Sequence, residues 1–432
     1  MPPQTTGASW QAQAVIAGAG IFVGSYDLAA ISVGFAPLKA QWHLSSAVIT
    51  TLGTATLVGM LVGSLLTGFV ADRFGRRRLI VADFALFVAS TTLAALAPDF
   101  TVLACGRLAT GVAIGMDFAV VFPFVAETAP RLRRGRTMAW IMWAANFGTL
   151  GAYGLGAIFL HLSPTDGWRA SLGLGVVLAV PILALRSRLV ESSDWDVARL
   201  PSLREIARAT AEHARRSRLA VNSAATFLYQ VSDQGLGLVL PLLLVTVLSS
   251  TAASGAASAT AVKAITIPAA TLTVVLIDRV GRKWLQVVGF AGRALAFGLL
   301  GVLLIMSVHL SAVAVGALLA AGYFFGALGP DKTTVIVPAE TPPTAVRSTN
   351  QGISQASGRL GGILGVTLYG VLASTAGPGA GLLLFAGTAA LGAVLTALAS
   401  ARGDIPGGRG GPGGRVPGGR GVPGGREQTR PG

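Results

Sequence analysis

The chain has 432 residues, of which 52% are hydrophobic and 12% carry a formal charge, about half the charged share of a soluble globular domain. So few charged residues cannot cover a water-facing surface, which argues against soluble enzymes, secreted scaffolds and nucleic-acid-binding domains. Cys105 is the only cysteine, so no intrachain disulfide can form. The net charge of +15 falls in short clusters between apolar runs, a pattern typical of helical membrane proteins.

Twelve apolar runs are long enough to cross a membrane, because about 20 apolar residues span the hydrocarbon core as a helix. In chain order they cover 12–38, 46–70, 78–98, 101–128, 136–161, 168–187, 218–247, 254–277, 284–307, 310–338, 346–373 and 378–401. No basic segment precedes the first run, so we expect it to remain as an anchor and not to be cleaved as a signal peptide.

The gaps between these runs predict four regions. Residues 1–187 form an N-terminal six-helix bundle, 188–217 a polar cytoplasmic linker that is partly an interfacial helix, and 218–401 a C-terminal six-helix bundle. Residues 402–432 carry four Pro-Gly-Gly-Arg repeats, a composition with too little apolar surface to fold. We expect that region to be a disordered cytoplasmic tail.

Lysine and arginine cluster on one side of the predicted membrane. That side receives the arginines of 73–78 and 131–136, the linker, the basic residues of 279–283 and the tail, whereas loops such as 249–258 have almost none. Basic loops face the cytoplasm. The sequence therefore predicts a multi-pass protein of the cell membrane with both termini in the cytoplasm.

Two sequence patterns occur once in each half of the chain. Asp72-Arg73-Phe74-Gly75-Arg76-Arg77 recurs 206 residues later as Asp278-Arg279-Val280-Gly281-Arg282-Lys283. Glu127, Pro130 and Arg134 recur 213 residues later as Glu340, Pro343 and Arg347. In each half the first pattern follows the second span and the other pattern follows the fourth span. This arrangement indicates a duplicated six-helix unit.

These patterns resemble the major facilitator superfamily. Residues 68–77 are similar to its loop between helices 2 and 3, and 103–115, with Arg107, Gly111 and Gly115, is similar to its fourth helix. The resemblance implies an all-α membrane protein of twelve transmembrane helices in two six-helix bundles. It implies a transporter that works by alternating access, is not an enzyme, and needs no cofactor or metal beyond a proton gradient. We expect a monomer.

The fifth helix lacks the proline-containing motif of the superfamily's drug antiporters, since 146–156 has four glycines and no proline. This favours symport over efflux.

Carboxylates and arginines are paired within the repeated patterns. Carboxylate–guanidinium pairs at helix ends can hold one face of a transporter closed and then release it. We therefore predict a cytoplasmic gate in which Asp72 and Glu127 lie beside Arg76 and Arg134, and the second half repeats the arrangement. The full predicted set is Asp72, Arg76, Glu127, Arg134, Asp278, Arg282, Glu340 and Arg347.

Four aspartates fall in the middle of apolar spans 1, 4, 7 and 10: Asp27, Asp117, Asp233 and Asp331. A charge at mid-membrane is costly and needs a partner, a water-filled cavity or a function. Because helices 1, 4, 7 and 10 line the central cavity in the superfamily, we expect all four carboxylates to converge there. A carboxylate in such a cavity takes up and releases a proton readily, so Asp27, Asp117 and Asp233 are the predicted proton-coupling residues.

Arg359 in span 11 supplies a planar fork that suits phosphate or carboxylate, although it could equally neutralise Asp331. Residues 329–340 and 347–359 resemble helices 10 and 11 of proton-coupled phosphate symporters. The resemblance implies inorganic phosphate as the transported anion, contacted by Asn146, Tyr229, Asp233, Asp331 and Arg359.

The chain departs from those phosphate symporters at several ligand-contacting positions. Phe118, Asn146, Tyr229, Gly237, Asp331 and Arg359 stand where the family has tyrosine, glutamine, tryptophan, tyrosine, asparagine and lysine. Residues 26–42 also resemble helix 1 of organic-acid proton symporters, so an aromatic or dicarboxylic acid is the alternative substrate. A protein that senses a solute without transporting it is the alternative outside the transporter class. We expect Lys263 and Arg293 to lie near helix ends or to be paired structurally.

Overall fold

A computed structural model of the chain describes residues 9–130, 132–191, 203–215, 218–248 and 251–401. The predicted tail and most of the first part of the linker lie outside the described residues. The first half contains α1 Trp10–Gln41, α2 Ser46–Phe74, α3 Arg76–Ala95, α4 Phe100–Thr128, α5 Arg134–Leu162 and α6 Gly167–Arg186. The linker contributes α7, Leu203–Arg215.

The second half repeats six membrane-crossing segments, three of which are broken helices. Its helices are α8 Arg218–Gly237, α9 Leu240–Leu248, α10 Ala252–Ala264, α11 Thr266–Leu276, α12 Arg282–Ile305, α13 Ala312–Leu328, α14 Pro330–Glu340, α15 Arg347–Ala376 and α16 Pro378–Ala401. The pairs α8–α9, α10–α11 and α13–α14 each take the place of one predicted span. The architecture is therefore the predicted one, two bundles of six crossings each.

Ten segments among the described residues are long and apolar enough to span a membrane by composition. Two crossings, α5 and the α8–α9 pair, are not in that group. Both are rich in polar residues, among them Asn146 and Thr149 of α5 and Gln230 and Asp233 of α8. Their polarity has a structural cause, because these side chains line the cavity described below.

The predicted unbroken spans 7, 8 and 10 are wrong in detail. Span 7 breaks at 238–239, span 8 at Ile265 and span 10 at Gly329. Pro330 is the first residue of α14 and Pro241 the second of α9, positions that tolerate a residue without an N–H. At Gly329 a Cβ atom would overlap the backbone carbonyl of Leu285 in α12, so only glycine permits this approach.

The duplicated motif has the same backbone turn in both halves. Gly75 and Gly281 have φ values of 96° and 89°, a region that favours glycine, and α3 and α12 begin at the next residue. We call the side of the molecule where these turns lie the basic face. Across the two halves, α15 packs on α2, and α5 packs on both α10 and α11.

Candidate functional site

A cavity of about 120 Å³ lies between the two halves. The first half contributes residues of α1, α2, α4 and α5, and the second half residues of α8, α10, α11, α13, α14 and α15. The polar and aromatic lining residues are Ser25, Phe118, Asn146, Thr149, Tyr153, Tyr229, Gln230, Asp233, Gln234, Lys263, Thr266, Tyr323, Asp331 and Arg359. The five predicted substrate contacts are all among them.

Each of the two carboxylates in the cavity is paired with a cation behind the lining. Asp233 Oδ1 lies 3.4 Å from Nη2 of Arg293, a fully buried arginine of α12 that also donates from Nε to Oγ of Ser232 at 2.9 Å. The Asp331 carboxylate contacts the ammonium group of Lys332, the next residue. Since Lys332 is the partner, Arg359 is not the group that neutralises Asp331.

Two further cations line the cavity without such partners. Arg359 is 1% exposed, its guanidinium lies 5.0 Å from the ring centre of Phe118, and its Nε has no hydrogen-bond partner among the described residues. Lys263 Nζ lies 3.8 Å from the ring centre of Tyr323. Neither forms a salt bridge with a described carboxylate. In and directly behind the lining, the described groups thus include four cations and two carboxylates, and this positive excess suits an anion.

The expected convergence of four carboxylates is wrong, because only Asp233 and Asp331 line the cavity. Asp27 is fully buried in the first bundle, where its Oδ2 lies 2.5 Å from Nη1 of Arg107. Asp117 Oδ1 lies 2.8 Å from Nη2 of Arg186. The sequence shows how deep an aspartate lies in its span, whereas the position of a neutralising arginine on a neighbouring helix decides which way it points.

Arg186 serves a second carboxylate as well as Asp117. Its Nη1 lies 3.3 Å from Oδ1 of Asp83 in α3, and its guanidinium stacks at 4.3 Å on the ring of Phe84. Two carboxylates therefore share one guanidinium inside the first bundle. Asp117 precedes Phe118, which lines the cavity, so α4 connects this cluster to the site.

The sequence interpretation overlooked Lys263 as a cavity residue and Asp83 and Arg186 as partners of Asp117. The signal that could have found all three is the same one that selected the aspartates, a charged side chain within an apolar run. Lys263 and Arg293 were expected to lie near helix ends or to be paired structurally; Arg293 forms a salt bridge with Asp233, and Lys263 lies in the last turn of α10 at the cavity.

At the basic face, charged pairs join the two halves. Arg76 Nη2 lies 3.0 Å from Oδ1 of Asp72 and 3.0 Å from Oε1 of Glu127, and it donates to the carbonyl of Thr344 in the second half. Arg347 Nη1 lies 3.2 Å from the same Glu127 oxygen. The backbone N–H of Thr349 donates to Asp72 Oδ2 at 2.8 Å. Most of these side chains are buried, so the contacts hold α2 and α4 against α15.

The second half contributes a smaller cluster. Arg282 Nη2 lies 3.1 Å from Oε1 of Glu340, and Arg282 Nη1 lies 3.5 Å from Oδ1 of Asp278. Arg136 of the first half reaches Asp278 at 3.9 Å. The contacts of Arg134 and Arg347 differ from the predicted gate.

Arg134 does not pair with Glu127, because its Nε donates to the carbonyl of Ala129 instead. Arg347 pairs with Glu127 of the other half, while Glu340 pairs with Arg282. Arg347 reaches the first half because α15 packs on α2 and α4.

Replacing Glu127 with glutamine is expected to loosen the closed basic face. The change removes the charge that Arg76 and Arg347 share in a buried site, where loss of one partner costs about 3–5 kcal/mol. We expect a melting temperature lower by several degrees in detergent. The control is Asp278→Asn, whose carboxyl is 31% exposed and whose pairing is worth about 0–1 kcal/mol. Equal melting temperatures for the two variants would contradict the importance of the Glu127 contacts.

Comparison with known proteins places the chain in a family. Residues 13–220 and 214–400 each match the model of the family described as "Sugar (and other) transporter". The putative niacin/nicotinamide transporter NiaP of Bacillus subtilis is 28% identical over 367 residues, which is 83% of this chain and 88% of the relative. The inorganic phosphate transporter PHO84 of Saccharomyces cerevisiae is 27% identical over 446 residues, 83% of this chain and 75% of the relative.

Solved structures share the fold. The xylose transporter XylE from E. coli, in a partially occluded inward-open conformation, has a TM-score of 0.74 at 19% identity and covers 90% of this chain and 99% of its own. The human organic anion transporter MFSD10 has a TM-score of 0.72 at 17% identity, with coverage of 90% and 100%. The chain therefore belongs to the sugar (and other) transporter family of the major facilitator superfamily, and it is a multi-pass membrane transporter and not an enzyme.

Proposed function

We propose that this transporter carries a small anion together with protons by alternating access. The observation that carries the proposal is that Lys263 and Arg359 both line the cavity and that neither forms a salt bridge with a carboxylate of the described residues. A neutral sugar would leave the excess of these positive charges unbalanced, and an unbalanced buried charge is unfavourable. An anion would balance these charges. It could also accept a hydrogen bond from the Nε–H of Arg359, which has no partner among the described residues.

An organic acid fits the lining best. Aromatic rings of Phe118, Tyr153, Tyr229 and Tyr323 stand beside the cations, and Met60, Ile114 and Met142 add apolar surface. A carboxylate with a planar or apolar body would use both kinds of surface, because aromatic side chains pack well against flat groups. The relative named a putative niacin/nicotinamide transporter supports this class, since niacin is an aromatic carboxylate.

Inorganic phosphate is the second candidate. The two spare cations match a dianion, and PHO84, named an inorganic phosphate transporter, aligns with 83% of the chain. Phosphate would leave the aromatic and apolar lining unused, and Asp233 and Asp331 beside it would need to stay paired with Arg293 and Lys332.

Proton coupling is assigned to Asp27, Asp117 and Asp233. Asp233 faces the cavity, and a proton taken up there would change the charge that the anion meets. Asp27 and Asp117 would act from within the first bundle, through the helices that carry their arginine partners. We place the basic face in the cytoplasm of the cell membrane, and both termini with it, because basic loops remain inside.

Uptake into proteoliposomes tests this function. The purified chain, with an imposed inward proton gradient, is supplied with labelled benzoate, niacin, succinate or phosphate, each competed by the others. We expect accumulation of an organic acid, collapse of that accumulation when the gradient is dissipated, and weak competition by phosphate. Strong accumulation of phosphate alone would make phosphate the substrate. Binding without accumulation of any anion would favour a sensor.

A further inference from the structure

Helix α15 carries two buried glutamines between the cavity and the basic face. Arg359 lines the cavity, and Arg347, about three turns earlier, contacts Glu127 at the basic face. Gln351 and Gln355 follow at intervals of four residues. This spacing places the four side chains in one sector of about 120° of the helix. We call Arg347, Gln351, Gln355 and Arg359 the polar sector.

Both glutamines are buried, and their side-chain amides have no hydrogen-bond partner among the described residues. Gln351 and Gln355 are each 0% exposed, and neither the amide oxygen nor the amide nitrogen of either side chain has a hydrogen-bond partner among the described residues. A buried amide without a partner is destabilising, and an apolar side chain of similar volume would be preferred in a permanently closed interface. Two such amides on successive turns indicate groups that find their partners in another conformation.

The two ends of the polar sector face α4 of the other half. Arg359 lies over the ring of Phe118 and Arg347 contacts Glu127. Between those two positions α4 carries only apolar residues, Ala119 to Ala126, and all of them are buried. In this conformation α4, with this apolar stretch, packs on α15.

We propose that the polar sector is the wall along which the anion moves between the cavity and the basic face once α4 separates from α15. The amide N–H groups of Gln355 and Gln351 would donate to the anion in turn. Because they are neutral, they would hold it less strongly than Arg359 and would let it pass. That the transported solute is an anion rests on the proposed function. That water reaches the polar sector when the halves separate does not depend on it.

Thiol labelling tests hydration without any substrate. In a Cys105→Ser background, Gln351→Cys and Gln355→Cys are placed in liposomes and treated with a cationic, membrane-impermeant methanethiosulfonate reagent. We expect slow labelling that becomes at least about tenfold faster when Glu127→Gln is added, because that change raises the population of the open state. Leu360→Cys is the negative control, since Leu360 is 47% exposed on the outer surface of a membrane-spanning helix, where the reagent should not label it in either background. Equal responses at all three positions, or no labelling of the two glutamine positions in either background, would overturn the proposal.

Single substitutions test whether an anion moves along the polar sector. For benzoate and phosphate, Gln351→Leu and Gln355→Leu should leave equilibrium binding in detergent within about twofold. The same changes should slow exchange about tenfold, because they alter the path and not the binding site in the cavity. Gln355→Glu should slow anion exchange further than Gln355→Leu, by charge repulsion. Exchange at the wild-type rate in both leucine variants would overturn the path. If the wall is hydrated but the glutamate has no added effect, the path stands and the anionic substrate class of the proposed function fails.

Discussion

Replacing Arg359 with glutamine is expected to abolish detectable anion accumulation while leaving the protein folded. A charged hydrogen bond is worth about 1.5–3 kcal/mol, so the anion should bind about ten- to a hundredfold more weakly. The guanidinium has a buried Nε without a partner and makes no salt bridge with a described carboxylate. Removing it should therefore keep or raise the melting temperature, because an uncompensated buried charge is lost.

The opposite signs of these two effects distinguish a binding residue from a structural one. A structural arginine would lower the melting temperature when it is removed, as we expect for Arg107 with its partner Asp27. Arg359→Lys keeps the charge but loses the planar fork, so its affinity should fall between wild type and Arg359→Gln. Arg136→Gln, at a side chain that is 51% exposed, is the control. Wild-type affinity in Arg359→Gln would remove the central support for an anionic substrate.

Replacing Asp117 with asparagine is expected to abolish accumulation driven by a pH gradient without preventing insertion in the membrane. Arg186 would still be paired with Asp83 at 3.3 Å, so no buried charge is left alone. The change leaves one carboxylate beside Arg186 in place of two, so the cluster could no longer gain and release a proton while Arg186 stays neutralised. We expect accumulation to fall more than about tenfold, since the gradient no longer drives a coupled step, and counterflow exchange to persist.

Asp27 needs a different design. Asp27→Asn alone would leave Arg107 without its 2.5 Å partner, a loss of about 3–5 kcal/mol for a buried pair, so poor uptake would not identify a proton role. Asp27→Asn combined with Arg107→Gln removes both charges and should restore much of the melting temperature. Gradient-driven accumulation in Asp117→Asn, or in this double variant, would contradict the proton role of the carboxylate concerned.

The positions of these aspartates bear on how the proposed proton coupling would work. A single hydrated chamber shared by Asp27, Asp117 and Asp233 was the expectation, and only Asp233 of the three lines the cavity. Asp117 and Phe118 are adjacent on α4, one held by Arg186 and the other by the stack with Arg359. A proton on Asp117 would therefore reach the anion site by moving α4, and a direct charge effect is left to Asp233.

The sequence alone determined the class, the number of crossings and the duplication of this protein, because each follows from local properties. Apolar length sets a span, and the glycine at positive φ in each repeated motif sets a turn. Position within an apolar span pointed to Asp233, Asp331 and Arg359, and the resemblance to phosphate symporters pointed to Asn146 and Tyr229; all five line the cavity.

Only the tertiary structure decided which charges face one another. The pairing of Arg347 with Glu127 across the two halves, the burial of Asp27 and Asp117 in the first bundle, and the position of Lys263 at the cavity are examples. All of them depend on the rotation of one helix against another. A charge in a membrane adopts the direction of its nearest compensating group. For Asp27, Asp117 and Glu127 that group includes an arginine on a distant part of the chain, which the local sequence pattern does not reveal.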